Sequence, residues 1–182
     1  MSILELIAII FSFTSVWLSA KQNVFCWVTG MIGTICFFII FLEQKLYSQT
    51  ILQVLLFSQS IYGWYFWSKT KEGNGRVISI KPMMVFLIEL SGILILAYVI
   101  GFFLKNYTDT QQPFLDATTA CIGLLANWYL VKKIIQAWWL WIVIDILIAI
   151  IFYNQGLEIS AILYLSFLLF SFNGLIRWSK NL

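Results

Sequence analysis

The chain has 182 residues, of which 62% are hydrophobic, 18% aromatic and only 10% charged, and its mean hydropathy is +0.92. A water-soluble domain is nearer half apolar and a quarter charged, and a core of this size cannot hide so much apolar surface, so the solvent of this chain is lipid. The formal net charge is +3 and there is no histidine. That excludes His-based acid–base chemistry, Ser-His-Asp triads and His-ligated metal sites. So small a basic surplus gives no footing for nucleic acid.

Apolar runs of about 20 residues suit helical spans, and seven can be drawn: 3–19, 24–42, 50–68, 83–104, 115–131, 138–153 and 158–177. The runs are continuous, not alternating, which excludes a lipid-facing β-barrel. The first run carries Glu5 as its only charge and offers no small-x-small cleavage site, so it reads as a retained helix, not a signal peptide. Cys26, Cys36 and Cys121 fall singly inside apolar runs and read as inert core residues, with neither metal-ligand nor disulfide spacing. No cofactor is expected.

An odd number of spans places the termini on opposite sides of the bilayer. One side collects Lys21, Lys69, Lys71, Arg76, Lys81, Lys132, Lys133, Arg177 and Lys180, and the other only Lys45 and Lys105. The positive-inside rule then puts the N-terminus outside and the C-terminus in the cytoplasm. The stretch Ser68–Lys81, with Gly73, Asn74 and Gly75, reads as a solvated cytoplasmic linker. The nine tryptophans all fall toward the cytoplasmic helix ends and read as an interfacial aromatic belt, with Trp64 and Trp141 about one turn deeper than their neighbours.

Sliding the chain on itself gives a gapless match at a constant offset of 111 residues. Trp17 pairs with Trp128, Lys21 with Lys132, Trp27 with Trp138, Phe41 with Phe152, Gln44 with Gln155 and Leu46 with Leu157. Ser60 then pairs with Ser171, Gly63 with Gly174, and Trp67-Ser68-Lys69 with Trp178-Ser179-Lys180. The expected architecture is an all-α integral membrane protein of seven transmembrane helices in a 3+1+3 parallel repeat. Residues 1–69 form one three-helix unit, 70–114 the linker and connecting fourth helix, and 115–182 the second unit. Parallel repeats about an axis along the membrane normal are the SWEET-type arrangement, in which two bundles rock about a site between them.

A ligand without symmetry is held where the copies differ. Gly30 and Thr34 of the second helix correspond to Trp141 and Asp145 of the sixth. Trp138, Trp141 and Asp145 follow i, i+3, i+7 spacing and share one face. An acid near the midplane costs roughly 2.5–3.5 kcal/mol on the mildest scale and marks a site by default, and Trp141 offers a π-face to a ring, best a cationic one. Gln59 and Tyr62 in the third helix, Asn127 in the fifth, and Asn173 and Ser166 in the seventh add polar groups that suit an amide, a pyrimidine or a hydroxyl. Inter-helix hydrogen bonding is the plain alternative for each. Glu89 reads as an acid that snorkels or pairs with Lys81 or Arg76, and Glu5 and Asp116 mark the water boundary. No P-loop or Gly-rich nucleotide fingerprint is present, so facilitated diffusion is the simplest energetics. A membrane enzyme lacks a catalytic cluster here, and a purely structural seven-helix protein lacks loops for partners.

Tyr62-Gly63-Trp64-Tyr65-x-Trp67, Trp138-x-x-Trp141-x-x-x-Asp145, Tyr153-x-x-Gly156-Leu157, and then Tyr164, Gly174 and Trp178 resemble the PnuC-type vitamin transporters, the bacterial nicotinamide riboside uptake family. The resemblance covers nearly the whole chain. It implies a full-length SWEET-like fold, a homotrimer in the inner membrane, and passive uptake of a vitamin trapped afterwards by a cytoplasmic kinase. It also implies that Trp141 and Asp145 contact the substrate. Nicotinamide riboside and thiamine both carry a cationic aromatic ring that matches Trp141 with Asp145; riboflavin, neutral and larger, matches less well.

Overall fold

The computed structural model describes residues 3–43, 47–69, 77–108, 112–154 and 158–182. They form the helices α1 (Ile3–Ala20), α2 (Phe25–Glu43), α3 (Tyr47–Ser68), α4 (Met83–Tyr107), α5 (Pro113–Val131), α6 (Gln136–Asn154) and α7 (Glu158–Ser179). Each of the seven expected spans is met by one of these helices. By length and apolarity, five helices among the described residues are long and greasy enough to cross a membrane. Lys45, Lys71, Arg76, the Gly73–Gly75 stretch and the matched residues Gln44, Leu46, Gln155 and Leu157 lie outside the described residues.

Neighbouring helices close into a ring. α1 packs on α2, α2 on α3, α3 on α5, α5 on α6, α6 on α7 and α7 back on α1, with α4 outside against α5. Two tight turns organise it. Gln22, between α1 and α2, and Lys133, between α5 and α6, both adopt a left-handed backbone with φ 55, although neither is glycine. The reward is a closed helix end. Asn23 N–H donates to Leu18 at 2.9 Å and Ile134 N–H to Tyr129 at 2.9 Å, the six-to-one bond of a Schellman turn that satisfies orphan carbonyls. These residues are the same positions displaced by 111.

The tryptophans depart from the expected belt. Trp27, Trp67, Trp138 and Trp178 are 3%, 4%, 1% and 0% exposed and form the centre of the core, while Trp17, Trp64 and Trp128 are exposed. Glycine opens the space. A Cβ placed on Gly63 would come within 2.6 Å of the Trp27 ring, and one on Gly174 within 2.6 Å of the Trp138 ring. Trp27 meets Trp67 edge-on at 5.3 Å, Trp138 meets Trp178 edge-on at 5.5 Å, and Trp67 lies 6.3 Å from Trp178. Two of the indoles also cross between the halves. Trp67 Nε1 donates to the Val131 carbonyl at 2.9 Å and Trp178 Nε1 to the Ser19 carbonyl at 3.2 Å.

Lys133 joins the same contact. Its Nζ donates to Gln22 Oε1 at 3.2 Å and lies 4.9 Å from the Trp67 ring centre, and burial holds the ammonium below the ordinary lysine range. The end of the stretch expected to be solvated is instead docked. Ile78 is buried, Ser79 N–H donates to Lys133 and Ile135 N–H to Ser79, both at 3.0 Å. The buried amide of Gln136 donates to the Lys81 carbonyl at 2.8 Å and accepts from its N–H at 3.2 Å.

Candidate functional site

Asp145 projects from the middle of α6 and is 5% exposed. Ser171 of α7, 2% exposed, donates its hydroxyl to Asp145 Oδ2 at 2.9 Å. The equivalent hydroxyls in the first half stay on their own helices. Thr34 donates to the Met31 carbonyl at 2.9 Å and Ser60 to the Leu56 carbonyl at 2.8 Å. Helical Ser and Thr take that back-bond when nothing better is in reach; the carboxylate draws Ser171 off its backbone. Tyr164, seven residues earlier and so on the same face of α7, lies within electrostatic reach of Asp145.

Trp141, one turn before Asp145, packs over α5, where its ring reaches to 4.0 Å of a Cβ built on Gly123. The first half is built the other way round. Gly30 stands in place of Trp141 and Ser12 in place of Gly123, and Ser15 Oγ lies 3.0 Å from a Cβ on Gly30. The large ring therefore exists in one half only.

One turn along α5 from Gly123, on the same face, stands Asn127. Its amide donates to Gln59 Oε1 at 2.8 Å, and Gln59 Nε2 donates to the Leu124 carbonyl at 3.3 Å. Val16 and Phe170 occupy the equivalent places, where Phe13 packs against Phe170 and Phe167 at 5.5 and 4.4 Å. One junction between the halves is thus amide-lined and the other aromatic. Gln59, Asn127, Trp141, Asp145 and Ser171 follow one another across α3, α5, α6 and α7.

The other sequence candidates fall elsewhere. Trp138 shares the stripe, but its ring is pinned between Gly174 and Trp178; its indole N–H, like that of Trp27, is buried without an acceptor. Tyr62 is exposed, stacked on Trp128 at 5.6 Å, and its hydroxyl oxygen accepts a hydrogen bond from Lys132 Nζ at 3.0 Å. Asn173 is exposed and accepts from Arg177 Nε at 2.6 Å. Trp64 is exposed on α3, and Ser166 donates to the Ile162 carbonyl of its own helix at 3.0 Å. Glu89 takes up its expected partner, pairing with Lys81, and also accepts from Tyr129. Ser171, the hydrogen-bond donor to Asp145, is the side chain beside the candidate acid that the sequence reading passes over. It was visible only as the match of Ser60, and its spacing of seven from Tyr164 was the available signal. All three cysteines are buried and free.

The family of nicotinamide mononucleotide transporters matches residues 2–180. The chain is similar to the nicotinamide riboside transporters PnuC of Escherichia coli (strain K12) and Shigella flexneri, in each case 22% identical over the whole chain and 87% of the relative. Among solved structures it is similar to the crystal structure of the vitamin B3 transporter PnuC, with a TM-score of 0.75 and 21% identity over 97% of this chain and 80% of that one. With a match that spans all seven helices, the chain belongs to the nicotinamide mononucleotide transporter family, a multi-pass membrane transporter and not an enzyme.

Proposed function

We propose that this chain carries nicotinamide riboside across the inner membrane by facilitated diffusion, holding the cationic ring between Trp141 and Asp145. The observation that carries the reading is the buried Asp145, one turn from Trp141, with Ser171 as its donor. The one hydrogen bond from Ser171 occupies a single acceptor site of a carboxylate that has about four, and an acid in hydrocarbon is costly unless it serves a cation. The Gln59–Asn127 amides suit a carboxamide or ribose hydroxyls. The family's description names a mononucleotide, but the Asp145 carboxylate would repel a phosphate, which favours the riboside.

Two three-helix units rocking about this site would give alternating access. The equivalence of the Trp27–Gly63 and Trp138–Gly174 contacts, and of the two left-handed turns, supports that repeat. The crossed Trp67 and Trp178 hydrogen bonds join the halves at the basic end, which we assign to the cytoplasm, with the N-terminus outside. A homotrimer and trapping by a cytoplasmic kinase belong to the same reading, on the family resemblance.

The test is calorimetry on purified protein with nicotinamide riboside, its 5′-phosphate, thiamine and riboflavin, repeated with Asp145→Asn. We expect saturable riboside binding that weakens about 30-fold in the variant, roughly 2 kcal/mol, with riboflavin unaffected. Equal losses for charged and neutral ligands would refute the role of Asp145. Thiamine binding in preference to the riboside would keep the site and change the substrate.

A further inference from the structure

A groove of about 860 Å³ opens between the ends of α1 and α7, lined by Lys21, Asn173, Arg177 and Lys180 at its mouth and by Leu169, Phe172 and Ile176 along its side. No acid among the described residues pairs with the three cations. Among the described residues the ion pair is Lys81–Glu89, on the other side of the ring. Lys21 rests on the Trp17 ring at 3.4 Å, and Arg177 uses its Nε on Asn173, which leaves its two terminal nitrogens for a ligand. The apolar part is a bilayer-facing stripe: Ile162, Leu165, Leu169, Phe172 and Ile176 follow helical spacing and are all exposed, Leu169 to 71%.

The equivalent place between α3 and α5 is closed. There Tyr62 stands for Asn173 and Phe66 for Arg177, and Lys132 is packed against Tyr62, Phe66 and Trp128 with ring centres 4.6 to 4.8 Å away. One half of the molecule fills this space with aromatic rings, and the other keeps it open and surrounds it with charge.

We propose that the α1–α7 groove binds an anionic phospholipid, with its phosphodiester among Lys21, Arg177 and Lys180 and an acyl chain along Leu169, Phe172 and Ile176. Basic pockets between spans at the interface have this chemistry, and each cation near the surface contributes about a fivefold gain in binding. The groove lies on a different face of α7 from Ser171, so the proposal stands independently of the substrate site.

The full-length protein, delipidated in detergent, would be titrated with phosphatidylglycerol and with phosphatidylcholine, following thermal midpoint and bound lipid by native mass spectrometry. We expect saturable phosphatidylglycerol binding that falls about 30-fold in Arg177→Gln/Lys180→Gln, by about fivefold in Lys180→Gln alone, and not at all in Lys132→Gln. Equal binding of phosphatidylcholine, or an unchanged double variant, would overturn the proposal. So would equal stabilisation by inorganic phosphate, which would make this a free-anion pocket. A change of oligomeric state in the lipid-free double variant would mark the face as a protomer contact and overturn it too.

Discussion

At the scale of single residues, two glycines decide where the largest side chains go. Gly63 and Gly174 each leave room for an indole that any Cβ would strike at 2.6 Å, and in both cases the near atoms belong to a ring that is itself boxed in by a second tryptophan. Forcing a methyl into such a contact costs typically 1–3 kcal/mol, more than the gain of up to about 1 kcal/mol in helix propensity from Gly to Ala. Gly174→Ala and Gly63→Ala are therefore expected to lower the thermal midpoint in detergent. Gly92, with open space around it, is the control, and Gly92→Ala should leave the midpoint level or raise it. Trp141 belongs to the same scale, since its ring meets α5 at a glycine too. Trp141→Ala should abolish most riboside binding in calorimetry while leaving the folded protein's helicity unchanged, because the ring is only partly buried. Retained affinity would place the ligand elsewhere.

At the scale of elements, α4 is tied to the second half by a short strap ahead of it. The Gln136 side chain holds both backbone groups of Lys81, and Ser79 pairs with the α5–α6 turn. Removing Gln136 strands a donor and an acceptor that it now covers, and each such group costs about 1–3 kcal/mol when buried. Gln136→Ala is expected to speed hydrogen exchange of residues 77–83 by tenfold or more, with exchange in α1 and α2 unchanged. Helix positions themselves were legible in advance, because hydropathy is a local property: the run 3–19 becomes Ile3–Ala20 and 83–104 becomes Met83–Tyr107. The docked linker was not legible. Val77–Ile80 is too short an apolar stretch to read as an element, and Ser79 acquires its hydrogen-bond partners from residues more than 50 positions away.

At the scale of the whole molecule, the orientation we propose rests on the distribution of charge along the sequence. With nine basic residues in the loops assigned to one side by the sequence and two in those assigned to the other, Lys180→Cys is expected to react with a membrane-impermeant maleimide only after cells are opened, and Lys105→Cys in intact cells. The native cysteines are buried and should leave little background. Reversed labelling would invert the orientation without touching the fold. The two halves meet through the crossed indole bonds, so Trp67→Phe and Trp178→Phe each remove one hydrogen bond of about 1 kcal/mol between them. Similar drops in thermal midpoint are expected for the two variants.

What the sequence by itself determined is what composition and spacing can carry: lipid as the solvent, seven helices, the match at an offset of 111, and an acid, Asp145, in the middle of an apolar run. The tertiary structure alone decided which of the nine tryptophans are core and which are exposed. It also decided that Ser171 is the partner of Asp145, that Gln59 pairs with Asn127, and that Tyr62 and Asn173 are exposed. The division has a physical cause. Helix formation and membrane insertion respond to residues close together in the chain, whereas a side chain's burial and its hydrogen-bond partner depend on which distant helix offers a gap, and the gaps here are made by glycines 36 residues from the rings that fill them.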